Sequence, residues 1–460
     1  TVPSDPGAEV VCTFTNTVQQ VRLACDNSIF YGITAVGALI QGDSVTGGQS
    51  TVGTWANVAG ANALGISADG ASAYAVNRSA DPGSNVLSIL KWSSTGGFES
   101  LPNTAYTTVA NGTTIAGSIV AGAVDLSSGR YVFGKFVNGV FYLWSFTESA
   151  PTASRFAYLG SFSAGAGPNG NGDLAFDSRG NLFVLGATTN SNVAIYSVTA
   201  ASLASANGGT LPVSTSNTRT LTQQGDTALV SGNGIAFSPR GTAWVSDNTR
   251  AYEYDPTTWT RLPGSAGIAF SSTDLATCSS PATVSVLKNI VGRAATADQF
   301  QITLSDANNV AVGSATTTGA TTGRQAAQVG PFPVQIGTEL NVSEAMAGGS
   351  TSPIGAYTIR LECWSDGIRI SDAAAATASL TVPDRLGANV VCTFFNSPSP
   401  VATVTVTKRV LDPATGVSTP AAGWTLGVAS QATTGNATVL PSEAPRQVSD
   451  ASGNAVWTVL

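Results

Sequence analysis

The sequence contains no histidine and one methionine, and only 10% of its 460 residues are charged, 20 basic against 27 acidic. An ordinary soluble domain carries roughly 25% charge. Each shortage excludes something. Without imidazole, neither a Ser–His–Asp nor a Cys–His catalytic unit can form, nor can a histidine-ligated metal site. A formal net charge of −7 with few Lys and Arg leaves no basic footprint for nucleic acid or an anionic membrane. No apolar run approaches the ~20 residues a membrane helix needs. The opening Thr-Val-Pro-Ser-Asp-Pro does not read as a signal peptide. The five cysteines are widely spaced and include no C-x-x-C pair. Such spacing is wrong for zinc ribbons and redox motifs and fits isolated disulfides in an oxidising compartment.

What is present is Gly, Ser, Thr, Ala and Val. An apolar content of 43% suffices for real cores, and the length suits roughly two to four domains. Low charge with abundant small polar residues is associated with extracellular bacterial proteins, so a secreted or cell-surface location is expected.

The chain repeats itself. Residues 1–16, TVPSDPGAEVVCTFTN, and 381–396, TVPDRLGANVVCTFFN, agree at eleven of sixteen positions, including Cys12/Cys392 and Asn16/Asn396. ATVSVLK at 282–288 returns as ATVTVTK at 402–408. One complete module is therefore expected over 281–400, the last strand of another over 1–18 and the first half of a third over 401–460. The chain reads as an interior stretch of a longer modular protein. In the rival reading, the first strand of one subunit completes the last module of its neighbour.

The module shows short alternating strands separated by Gly, Asn, Asp and Pro, and no helical period. Alternation puts Val284, Val286 and Lys288 on one face, as it does Leu340, Val342 and Glu344, and Val390, Cys392, Phe394 and Asn396. Each apolar row thus ends in a polar group. Cys363, in YTIRLECWS, is expected to pair with Cys392, because no other partner is left within the module. Cys12, the equivalent of Cys392, is then unpaired in this chain.

With Lys in the first strand, Glu in a V-x-E strand and Asn closing the last, residues 282–398 resemble the prealbumin-like domains (SpaA or Cna-B type) of Gram-positive pilins and adhesins; 1–18 and 402–460 resemble parts of one. The resemblance implies that the Lys288 amine attacks the Asn396 amide and expels ammonia, leaving an isopeptide bond, with a protonated Glu344 polarising the amide. Burial favours the neutral forms this needs. The same resemblance makes Lys408 and Asn16 half-sites. The alternative is that these residues only hydrogen-bond at the sandwich edge.

Residues 19–280 differ. An apolar strand, a short Asp/Ser/Gly turn and a second apolar strand recur at NALGISADGASAYAV (62–76), GAVDLSSGRYVFG (122–134), GDLAFDSRGNLFVLG (172–186) and NGIAFSPRGTAWVS (233–246). The spacing is that of propeller blades. TDLATC (273–278) aligns with GDLAFD, and CDNSIFYGI (25–33) with the continuation SRGNLFVLG. The two ends are thus expected to share one blade, with Cys25 and Cys278 bonded across it. The fold expected is all-β: a five-bladed, alternatively six-bladed, β-propeller flanked by prealbumin-like β-sandwich modules. An open sandwich array is the competing arrangement. The region also bears an architecture-level resemblance to propeller-like domains beside such modules in actinobacterial surface proteins.

Aligned polar positions at the starts of the inner strands, Asn62, Asp173, Asn233 and Asp274, could ring a channel and hold a cation or sugar, or merely cap strand ends. Asp173 and Asp274 are the obvious pair for a glycosidase, but no Glu matches them as an acid. Trp92, Trp144, Trp244 and Trp259 could stack on sugars or fill the space between blades. The function expected is non-enzymatic: a bacterial surface stalk or filament of repeated, covalently stabilised β modules, with no cofactor or metal. Its partners would be adjacent modules of the same long chain or identical subunits head to tail. The alternatives are an adhesin whose propeller binds glycan or a host surface, and a propeller glycosidase.

Overall fold

The computed structural model describes residues 21–26, 28–78, 86–101, 104–105, 119–151, 154–164, 171–187, 192–221, 232–263, 267–399, 402–429, 439–440 and 446–459. Cys12, Asn16 and the segment 1–18 lie outside them. The chain is almost entirely antiparallel β-structure in two compact units, one within Thr1–Val213 and Thr218–Pro281, the other within Ser214–Asn217 and Ala282–Leu460. The one α-helix among the described residues, Ala200–Ala204, is capped by the Thr199 hydroxyl. Among the described residues no helix is long and apolar enough to cross a membrane.

In the first unit the alternating runs fold into five separate up-and-down sheets, none closed on itself. The first joins the two ends of the unit: Asp274–Ala276 pairs with Ile29–Ile33, followed by Ala38–Asp43 and Gln49–Thr54. The second runs through Ala61–Ile66, Ser72–Asn77, Val86–Ser93 and Gly97–Ser100. The third is Ala121–Val124, Tyr131–Val137, Val140–Phe146 and Phe156–Ser163. The fourth contains Asn171–Phe176, Leu182–Ala187 and Asn192–Val198, with Arg219–Thr220 beside the last. Gly234–Phe237, Ala243–Ser246, Arg250–Tyr254 and Ile268–Ala269 form the fifth.

The leading strand of each sheet lies beside the leading strand of the next, from Ala61–Ile66 through Ala121–Val124, Asn171–Phe176 and Gly234–Phe237 to Asp274–Ala276, which again neighbours Ala61–Ile66. Small residues permit this approach. At Gly65 a Cβ would stand 2.6 Å from the Ala123 carbonyl carbon, well inside contact distance. The apolar faces bury one another between sheets. Leu39 and Trp55 of the first meet Leu64, Leu90 and Trp92 of the second. Tyr74 and Ile89 meet Phe133 and Trp144 of the third, and Phe30 of the first stacks on Trp244 of the fifth at 4.7 Å. Trp92, Trp144, Trp244 and Trp259 are all buried and serve as packing.

The second unit contains a two-sheet sandwich. One sheet is ordered Gly323–Val334, Ala282–Ile290, Asn389–Pro398, Tyr357–Ser365, Ile368–Ala373; the other Ala311–Thr316, Phe300–Asp306, Glu339–Met346, Thr377–Thr381. Ala282–Ile290 and Asn389–Pro398 pair in parallel. Burial alternates as the pattern requires: Leu340, Val342 and Glu344 point inward in one strand, Val390, Cys392, Phe394 and Asn396 in the other. The repeated ATVTVT segment forms the strand Ala402–Thr407, paired with Asn454–Val459.

Candidate functional site

The sandwich brings Lys288, Glu344 and Asn396 together from three strands and both sheets. The Lys288 and Glu344 side chains are fully buried, with Nζ 2.7 Å from Oε1. Parallel pairing sets Lys288 opposite Phe394 and Ile290 opposite Asn396, so the lysine stem runs toward the asparagine. Nζ also donates to the Phe394 carbonyl at 3.4 Å and lies 4.5 Å from the centroid of the Phe300 ring. Phe300 is a member of the site that strand alternation alone could not reveal, because it enters from the facing sheet.

The electrostatics follow from burial. Desolvation pulls the Lys288 ammonium down to about 8, against the pull of the Glu344 carboxylate. Desolvation pushes the Glu344 carboxyl up, against the Lys288 charge and the Asn396 amide. Neither oxygen of Glu344, and neither polar atom of the Asn396 amide, makes a well-aligned hydrogen bond. Buried polar groups normally do so. A lysine drawn down, a carboxyl pushed up and an amide without a well-aligned hydrogen bond thus lie together in one buried core.

Among the described residues there are two disulfides. Cys25 bonds Cys278 across 253 residues of sequence, and Cys363 bonds Cys392, its directly opposite partner in the neighbouring strand. Lys408, the repeat of Lys288, is only half-buried and sits 4.3 Å from the Trp424 ring.

The four polar positions of the inner strands divide into two groups. Asp173 and Asp274 meet: their carboxyls hydrogen-bond each other and are wholly buried. Asp173 accepts from Gly122 N, Leu174 N and Ile235 N at 3.3, 2.6 and 2.7 Å. Asp274 accepts from Leu64 N and Leu275 N at 2.7 and 2.9 Å. The pair therefore ties together the leading strands of all five sheets. Desolvation raises Asp173 to about 7, and desolvation with the facing Asp173 carboxyl raises Asp274 well above the ordinary carboxylate range. Asn62 and Asn233 do not join it. A register break between Asn62 and Gly65, with Ala63 at φ +63°, turns Asn62 onto its own neighbour, Ala63 N. Asn233 bonds Asn248 and the Ser272 carbonyl.

Beside these strands the space is a cavity of about 20 Å³ walled by residues such as Ile66, Val124, Phe176 and Ile235. It has room for about one water and not for a sugar. Two carboxyls in mutual contact also leave no gap for a glycosidic bond, which needs ~5–5.5 Å or more between them. Among the described residues no group of three or more acidic or cysteine side chains lies where it could hold a metal ion.

Residues 283–398 match the family described as a prealbumin-like fold domain. This domain suggests a surface structural or adhesin role. No curated protein matches the chain. Among solved structures, a functionally unknown protein of Desulfotomaculum acetoxidans is 10% identical, with 55% of this chain and 86% of that one covered and a TM-score of 0.32. The SapL1 lectin in complex with alpha methyl fucoside is 11% identical, covering 56% and 85%, at 0.30. A variant of the major pilin of Streptococcus pyogenes is 11% identical, covering 57% and 84%, at 0.17. All three fall below the likeness from which a shared fold is drawn.

Proposed function

We propose that this chain is a non-enzymatic structural protein of a bacterial extracellular surface, stalk or filament, whose sandwich carries an autocatalytic cross-link. The Lys288 amine attacks Cγ of Asn396, the C–N bond of the amide breaks, and ammonia leaves as the Nζ–Cγ bond forms. Glu344 donates a proton to the amide and carries away the one lost by Nζ. The observation that carries this reading is the fully buried Lys288–Glu344 contact facing an Asn396 amide whose polar atoms make no well-aligned hydrogen bond. Intact mass of the unreduced full chain tests it. The expected mass is lower by one ammonia than that of the chain with its disulfides, and Glu344→Ala restores the ammonia. A native-chain mass equal to that of the disulfide-bonded chain, with no ammonia lost, would overturn the cross-link.

The same reading takes the first unit, over 19–280, as a five-bladed propeller, a rigid spacer or decorating domain between prealbumin-like modules. Its support is the cyclic succession of neighbouring leading strands and the strand Asp274–Ala276 in the sheet of Ile29–Ile33. Its partners would be adjacent modules of one long chain or identical subunits head to tail. The glycan-binding and glycosidase alternatives, when placed on Asp173 and Asp274, require access that these buried carboxyls do not have.

A further inference from the structure

A cavity of about 520 Å³ opens in the first unit between its second and third sheets, away from the inner strands. That is the size of a small-ligand site. Its wall is made by Tyr74, Tyr131 and Phe146, with Lys91, Arg130 and Glu148 as its charged members. The Lys91 ammonium meets Glu148 Oε1 at 2.7 Å, and the Tyr74 hydroxyl donates to Oε2 at 2.9 Å. Burial pushes the Glu148 carboxyl up, but the bonds from Lys91 and Tyr74, with the charges of Lys91 and Arg155, outweigh it and hold it ionised.

Arg130 is different. It stands at the end of a tight turn in which Asp125 accepts from Ser127 and Ser128 and pairs its N–H with the Arg130 carbonyl. Its Nε is shut off from solvent and has no hydrogen-bond partner. The residue as a whole is only half-buried. Lys91 is shared between Glu148 and, at 3.6 Å, Glu99, which lies outside the lining; within the lining itself Lys91 and Glu148 pair and Arg130 adds a second positive charge. Ser128, Thr147 and Ser149 add hydroxyl groups.

We propose that this cavity binds an acidic sugar unit. Its carboxylate lies on the Arg130 guanidinium, and its hydroxyls donate to Glu148 and accept from Lys91 and the serine and threonine hydroxyls. A guanidinium is suited to a carboxylate because its N–H groups form a fixed planar fork. The site belongs to the first unit and does not rest on the scaffold reading.

The test is titration of the full chain with galacturonic acid, galactose and acetate, followed by calorimetry and protein NMR. Galacturonic acid should bind, with galactose and acetate each at least about tenfold weaker. Arg130→Met should weaken galacturonic acid by roughly ten- to a hundredfold. Arg130→Lys keeps the charge but loses the fork, and should weaken it by about tenfold; this arm decides if Arg130→Met fails to fold. No binding of galacturonic acid at concentrations on the order of 10 mM overturns the proposal. So does undiminished affinity in the folded Arg130 variants, or affinity for galactose or acetate equal to that for galacturonic acid.

Discussion

Asp173 and Asp274 act as an acid pair buried for structure. Their raised folded-state values mean that the native unit holds protons which the unfolded chain releases from about pH 4 upward. The stability they contribute is therefore complete below about pH 4 and is lost as pH rises toward 7 and beyond. Denaturant midpoints of the first unit measured from acid to neutral pH should fall along that window. Asp274→Asn, which stays neutral and can still donate to Asp173, should flatten the slope. Asp173→Ala is harsher, since it strands the N–H groups of Gly122, Leu174 and Ile235. It should cost about 2–5 kcal/mol, read from the shift in urea midpoint.

At the level of strands, the two disulfides differ in what they close. Cys25–Cys278 joins residues 253 apart, while Cys363–Cys392 joins strands 29 residues apart that are already paired. Loop-closure entropy favours the longer link by about 2 kcal/mol. Cys25→Ser with Cys278→Ser should thus lower the melting temperature of the first unit more than Cys363→Ser with Cys392→Ser lowers that of the sandwich, as scanning calorimetry would show. Packing between leading strands is equally exacting. Gly65→Ala drives a Cβ into the Ala123 backbone and should destabilise by about 1–3 kcal/mol in the same experiment.

For the whole molecule, the parallel pairing of the sandwich's first and last strands sets the mechanical consequence of a cross-link. Tension entering at Ala282 and leaving at Pro398 passes through a Lys288–Asn396 bond before it can peel the strands between. Single-molecule pulling on the full chain should show no extension from residues 288–396; an unlinked module, its Cys363–Cys392 loop still closed, would add on the order of 270 Å. The −7 charge gives a second expectation at this scale. The chain should not be retained on duplex DNA even at low salt, since it lacks the cations whose binding releases counterions.

Much of the sandwich was legible in the sequence, and for a local reason. A strand's period of two forces Lys288, Glu344 and Asn396 inward with their apolar neighbours, and the repeat of CTFFN marks where the last strand closes. Likewise, the match between TDLATC and GDLAFD pointed to a strand at 274–276 in the same register of the pattern. The tertiary structure alone decided what the inner polar residues do. Asp173 and Asp274 are 101 positions apart, and only their meeting in the buried interior raises both carboxyls and takes them away from any ligand. The cavity of Tyr74, Lys91, Arg130 and Glu148 left no trace in the sequence, because its residues belong to different sheets and follow no common period. Alternation determines which way a side chain faces; which distant side chain it then meets is set by the packing of one sheet on the next.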